Sequence, residues 1–418
     1  MDKVAQDKPR ITLRQLASHL AGIGRDYPPT ETEDWPVSTI PRERMQPSTE
    51  NKSELTYAPT YEAVMKAVSK YPLVNVPYEY PIYSNTGMSL LGLANVAANQ
   101  MGNASALNEP QSHKELLKRD IFDPLQMKSS FFNIPNDEEL RSHIAVPSVN
   151  TEYVDIPFGD VLDPAGGQYS SLGDLAMVMQ TILSPTGRGG VISANVVREW
   201  LRPLFSFSSV SEEVGAPWEI IPSLYDVKAY TKGGNLPGYH SEFVVIPEYS
   251  IGIILLVTGE YSDTRTILKE VSKRFIPTLR KLHYAEIERR YAGTWVNGED
   301  IAEVELKKGA LMLKKLYING VDVLKSIHDT LSAQTAHRNV QQMESTPSVA
   351  LWSTGRAGEF RLAFGRPNLN KVKDVGCFPY WASFDIALHS RGAPIDLVYW
   401  RRGVFTYPSA GVSLDRKK

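Results

Sequence analysis

Three side chains in this sequence are of types that could act on a bound molecule: the phenol of Tyr83, the amide of Asn85 and the ammonium of Lys232. Tyr83 and Asn85 lie in Pro81-Ile82-Tyr83-Ser84-Asn85-Thr86-Gly87-Met88, which reads as an extended approach, a sharp polar turn and the start of a helix. A short polar side chain satisfies free backbone N–H groups at a helix start, so Ser84 or Asn85 is the expected cap. Met88, Leu90, Leu91, Leu93, Ala94, Val96 and Ala97 make that helix apolar nearly all round, which predicts burial. A buried helix with a tyrosine and an asparagine at its mouth presents a phenol and an amide rigidly to a cleft. The phenol could serve as a general base, or as a phenolate-like partner that a cation helps to hold. Lys232, within Tyr230-Thr231-Lys232-Gly233-Gly234, could supply that cation or orient a carboxylate, and Gly234 suits close backbone approach to a ligand. Each feature also has a plain structural reading: a hydrogen-bonded tyrosine, an asparagine that only caps, a solvated strand lysine.

Other candidates are weaker. Ser18 and His19 are adjacent on a predicted helix, point to different faces and so cannot form a dyad with each other. His19 is expected to be structural, and His240, after Pro237-Gly238-Tyr239, could border a cleft. Ser84, between Tyr83 and Asn85, is a conceivable nucleophile. His113, His143, His283, His328, His337 and His389 show no metal-ligand spacing, so no metal and no cofactor are expected. Cys377, the single cysteine, excludes an internal disulfide framework. A formal net charge of −2 gives no field that would favour nucleic acid or an anionic membrane. No apolar run reaches the length of a membrane span, and Met1–Lys8 lacks the apolar core of a signal peptide, so a soluble chain is expected. The sequons at Asn51 and Asn103 are of a kind that occurs by chance.

The elements that must position these residues follow from patterning. With 418 residues the chain is long enough for two or three domains. Thr12-Leu13-Arg14-Gln15 fits a capping box that opens a helix ending at Gly22. Further helices are predicted near residues 61–70, 111–118 and 191–201, and one after a second capping box at Ser171–Asp174. Asp163-Pro164-Ala165-Gly166-Gly167 is expected to bend with a glycine at positive φ. From Lys228 the pattern changes to strands. Ser241–Ile246 and Ile251–Thr258 read as a hairpin, and the apolar run 251–257 reads as a strand covered on both faces. A helix over 263–284, bent at Pro277, leads to short strands separated by Gly, Asn and Asp turns, the pattern of a small antiparallel barrel or sandwich with Trp295, Trp352, Trp381 and Trp400 in its core.

Taken together, five segments resemble the serine β-lactamase and penicillin-binding-protein superfamily, in its class C and esterase branch as found in fungi. They are Ile11–Ile23, Tyr83-Ser84-Asn85 as a Tyr-x-Asn motif, Asp123-Pro124-Leu125-Gln126-Met127, Pro164-Ala165-Gly166-Gly167 followed by Ser170 and Ser171, and Lys232-Gly233-Gly234 in place of Lys-Thr-Gly. The resemblance spans residues 11–283 and implies an α+β fold, an antiparallel sheet flanked by helices plus a helical subdomain, with the site between them. It implies a domain over residues 1–284 and a small all-β, lipocalin-like barrel over 285–418. It further implies catalytic roles for Tyr83 and Lys232 and substrate contacts from Asn85, Gly233 and Gly234, one of them a backbone N–H of an oxyanion hole.

The family nucleophile is the serine of Ser-x-x-Lys, and no serine in this sequence has a lysine three positions on. By the resemblance the motif falls before Met1, so the N-terminal strands and nucleophile helix are expected to be missing, leaving an exposed apolar groove and edge strand. The implied function is a serine hydrolase or acyltransferase acting on a small-molecule ester or amide through an acyl-enzyme, inactive as this chain stands; the alternative is a non-catalytic binding protein. The Gly233 departure from threonine or serine favours substrates without a β-lactam-type carboxylate. The branch further implies a role in fungal secondary metabolism.

Overall fold

The computed structural model describes residues 10–29, 59–101, 108–146, 154, 158–185, 190–208, 212–335, 348–364 and 385–417. Cys377, His337, Trp381, both sequons and Met1–Lys8 lie outside the described residues. The chain divides into two compact units, Met1–Ile276 and Pro277–Lys418.

The first unit combines helices with a six-stranded sheet. Its helices are α1 (Leu13–Ala17), α2 (Tyr61–Lys70), α3 (Asn85–Met101), α4 (His113–Leu117), α5 (Asp123–Leu125), α6 (Glu138–Ser142), α7 (Gly159–Gly166), α8 (Leu172–Leu183), α9 (Ala194–Trp200) and the start of α10 (Thr264–Tyr291). The strands β1 (Phe205–Ser206), β2 (Glu213–Val214), β3 (Glu219–Leu224), β4 (Val227–Leu236), β5 (Tyr239–Ile246) and β6 (Ile251–Thr258) pair in chain order, all antiparallel. Alternate strand residues point to opposite faces. Trp218, Ile220 and Val245 therefore pack with Met179 and Ile182 of α8 and Val197 of α9, while Ala229, Val244 and Ile246 pack with Leu268 and Ile276 of α10.

Several expectations need correction. The Thr12/Gln15 capping box is present, but α1 stops at Ala17 because His19 takes a left-handed conformation, φ 58. The carbonyls of His19, Leu20 and Gly22 then accept from Ile82, Tyr78 and Val74, a tertiary use of backbone that a helix would have consumed. Helix α3 is not buried all round: its buried residues are Thr86, Gly87, Ser89, Gly92 and Val96. Gly92 is where α7 crosses, since a Cβ there would lie 2.3 Å from Cγ of Pro164. Gly167 has φ −81, not a positive value; a Cβ there would meet Asp163 Oδ1 at 2.5 Å, so close approach explains it. Ser171 caps α8, yet Asp174 turns away from the reciprocal bond to accept from Ser129 N–H and the Ser130 hydroxyl. Strand β6 is half-buried; among the described residues it pairs only with β5, and Leu256 is 46% exposed.

The second unit is a closed barrel. Its strands are β7 (Gly293–Asn297), β8 (Asp300–Lys307), β9 (Ala310–Ile318), β10 (Val321–Asp322), β11 (Val349–Ser353), β12 (Glu359–Ala363), then the β13–β14 ribbon (His389–Ser390, Ala393–Pro394), β15 (Leu397–Arg401), β16 (Val404–Tyr407) and β17 (Val412–Arg416). The sheet runs β10-β9-β11-β12-β15-β16-β17-β7-β8, and β8 pairs again with β9, which closes the ring from β9 to β8 and leaves the two-residue β10 outside it. The unit is not all-β: α11 (Val323–Thr335) places Leu324 and Ile327 in the same core as Trp295, Trp400 and Phe405. Trp352 is 42% exposed and does not belong to that core.

Candidate active site

The site is built on the N-terminus of α3. Ser84 is buried; its Oγ accepts from the Gly87 N–H at 2.8 Å and donates to the Gly24 carbonyl at 2.8 Å. Ser84 is thus the cap. Its hydroxyl is committed in both directions, which argues against its serving as a nucleophile. Asn85 sends its Nδ2 to Asp26 Oδ1 at 2.8 Å, toward the loop that follows Ile23 and not toward the sheet. The turn therefore fixes Tyr83 just before the helix with its ring 41% exposed, open to a ligand on one side.

On its other side the Tyr83 ring stacks on His19, centroids 4.5 Å apart at 28°. His19 Nδ1 accepts from the Ser84 N–H at 3.1 Å, which assigns the proton of the neutral ring to Nε2. That Nε2 is buried and has no partner among the described residues. Burial, with the positive charge of Lys232 adding to it and Glu219 opposing, lowers the His19 pKa to about 4. Two cations flank the tyrosine ring: Lys232 Nζ is 5.3 Å and Arg25 Cζ 5.6 Å from its centre.

Strand β4 carries Lys232 between Thr231 and Gly233, opposite Phe243 of β5, and its ammonium reaches the Tyr83 ring. Its Nζ donates to Glu219 Oε1 at 2.9 Å and to the Gly233 carbonyl at 2.8 Å. The other Glu219 oxygen accepts from Arg265 Nη2 at 2.6 Å, and Arg265 Nε lies 3.5 Å from Glu242 Oε1. Glu242 is buried beneath Gly233; burial pushes its carboxyl up, with Arg265 opposing. A Cβ on Gly233 would lie 3.3 Å from Glu242 Oε2, and one on Gly234 would lie 2.6 Å from Ser241 Oγ. Both glycines leave room for side chains of the neighbouring strand. His240 pairs with Asn235, Nδ1 to Oδ1 at 2.9 Å. No group of three or more His, Cys, Asp or Glu side chains among the described residues could hold a metal ion.

Of the residues singled out by sequence, the structure brings Tyr83 and Lys232 together, with Gly233 and Gly234 continuing the strand from Lys232. Asn85 shares the turn but is engaged by Asp26. The sequence reading missed Arg25, Glu219, Glu242 and Arg265, and it gave His19 no part in seating Tyr83. None of the four carries a local signal: Glu219 meets partners 13 and 46 positions away, a proximity that only strand register and the packing of α10 create. The site thus sets a half-exposed phenol beside two cations and on a neutral, buried imidazole.

A family model described as Beta-lactamase matches residues 2–273. The beta-lactamase-like protein str6 of Strobilurus tenacellus is 36% identical over 319 residues, 73% of this chain and 99% of that protein. A beta-lactamase-like protein of Arthroderma benhamiae is 26% identical over 374 residues, 78% of this chain but 56% of its own length, so the chain spans about half of that longer relative. Among solved structures, a beta-lactamase/D-alanine carboxypeptidase from Yersinia pestis is 20% identical with a TM-score of 0.45, covering 62% of this chain and 67% of that one.

Proposed function

The chain belongs to the β-lactamase family, within the β-lactamase-like hydrolases, and from that premise we propose that the Tyr83–Lys232 cleft is an acyl-transfer site for a small-molecule ester or amide. The single observation that carries the reading is the 5.3 Å approach of the Lys232 ammonium to the Tyr83 ring, across 149 positions of sequence that nothing local would join. In this reading Tyr83 moves the proton and Lys232 holds the charge that develops on it. The Gly233–Gly234 backbone lies alongside the acyl group, and Asn85 contacts the substrate by leaving Asp26. The attacking hydroxyl of Ser-x-x-Lys is not in this sequence, so the chain by itself binds the acyl compound without turning it over. The same absence favours a second reading, a β-lactamase-like binding protein. A role in secondary metabolism is part of the same proposal and is supported by fungal relatives such as the Strobilurus tenacellus protein.

Two measurements test this. Thermal stabilisation across a library of neutral esters and amides is expected for some members and is expected to fall at least tenfold in apparent affinity with Y83A or K232A; a flat melting temperature across the library refutes an acyl-compound site. A fluorophosphonate probe is expected to leave the purified chain unlabelled, and stoichiometric labelling of a serine would overturn the claim that this chain lacks a nucleophile.

A further inference from the structure

Lys232 and Arg265 are the two cations that flank Glu219, and a negatively charged ligand group entering along β4 would have to seat on them. The structure has that seat filled from within. Each oxygen of Glu219 takes one cation, Oε1 from Lys232 at 2.9 Å and Oε2 from Arg265 at 2.6 Å. The side chains of Lys232, Arg265 and Glu219 are 28%, 36% and 39% exposed, so the trio is at the solvent boundary and reachable by a ligand. Behind it the buried Glu242 places a second carboxyl 3.5 Å from Arg265 Nε. Two cations thus face two carboxyl groups, Glu219 between them and Glu242 behind.

We propose that Glu219 is the specificity-determining residue of the cleft, an internal stand-in for a ligand carboxylate that restricts the site to uncharged acyl compounds. The proposal rests on the reading of the Tyr83–Lys232 cleft as an acyl-compound site. Its physical basis is like-charge juxtaposition. A ligand carboxylate directed at Lys232 meets the Glu219 carboxylate already bound there and must displace it or lie beside it, and either costs affinity. A neutral ester or amide meets no such penalty. Glu219 also keeps the Lys232 ammonium from swinging away from Tyr83, since among the described residues its other hydrogen bond is to the adjacent Gly233 carbonyl.

The test compares a matched pair of probes, N-acetylphenylalanine and its methyl ester, each in both enantiomers, by calorimetric titration of the full chain. Wild type is expected to bind the ester in preference to the acid. E219Q keeps the size of the side chain and removes its charge, and the acid-to-ester affinity ratio is expected to rise at least tenfold. E219A serves as the second variant if E219Q folds poorly, and circular dichroism checks both. If the ester binds and neither variant changes the ratio, the assignment of Glu219 is overturned while the acyl site stands. If wild type and both variants bind neither probe, the acyl-site reading fails and this inference fails with it.

Discussion

The burial that holds His19 neutral makes the stability of the fold depend on pH. His19 is 7% exposed, and burial beside Lys232 lowers its pKa from 6.5 to about 4. Between those values the unfolded chain takes up a proton that the folded chain refuses. Stability therefore rises with pH across the window and is lost as pH falls from 6.5 toward about 4. At ~1.4 kcal/mol per pH unit, the interval amounts to about 3 kcal/mol when complete. Asp163 opposes it. Burial raises that carboxyl from 3.8 to about 6, so the folded chain holds a proton the unfolded chain has lost, and stability falls as pH rises through the same range. The two slopes cancel in large part in wild type, which is why the measurement must be a comparison. In H19Q the glutamine carbonyl can still accept from the Ser84 N–H but cannot titrate. Urea unfolding of wild type and H19Q at pH 7 and pH 4.5 should give a stability difference that shifts in favour of H19Q by roughly 2.5 kcal/mol at the lower pH. D163N, which removes the opposing group, should show the steep loss on acidification that wild type hides. Parallel pH profiles for wild type and H19Q would refute the claim that the imidazole beneath Tyr83 is held neutral by burial.

Three further outcomes follow from packing. G92A should destabilise by ~1–3 kcal/mol in urea unfolding despite alanine's better helix propensity, because its methyl group meets the rigid ring of Pro164 at 2.3 Å; a stabilised variant would show that the α3–α7 crossing is not tight there. F405A, at a side chain with no solvent exposure in the barrel, should cost about 3–5 kcal/mol by thermal or denaturant unfolding. L256K, on the half-exposed β6, should lower light scattering relative to wild type at equal concentration; unchanged scattering would mean that this strand is not a route of self-association.

What the sequence determined by itself is local. Capping side chains and apolar spacing set α2 at Tyr61–Lys70, the Thr12 cap and the β5–β6 hairpin, because each depends on residues within a few positions of one another. The barrel was legible for the same reason, as short strands punctuated by turns, although α11 was not: its apolar residues at helical spacing sit inside a run of strands. The motif residues Tyr83, Asn85 and Lys232 could be named, but their relations could not. That Ser84 and not Asn85 caps α3, that Asn85 turns to Asp26, and that α1 ends early at a left-handed His19 were all decided by backbone and side-chain partners tens of positions away. The Lys232–Glu219–Arg265 bridge was decided the same way, by strand register and the seating of α10, since a charge acquires its role from whatever the fold sets within a few ångströms of it.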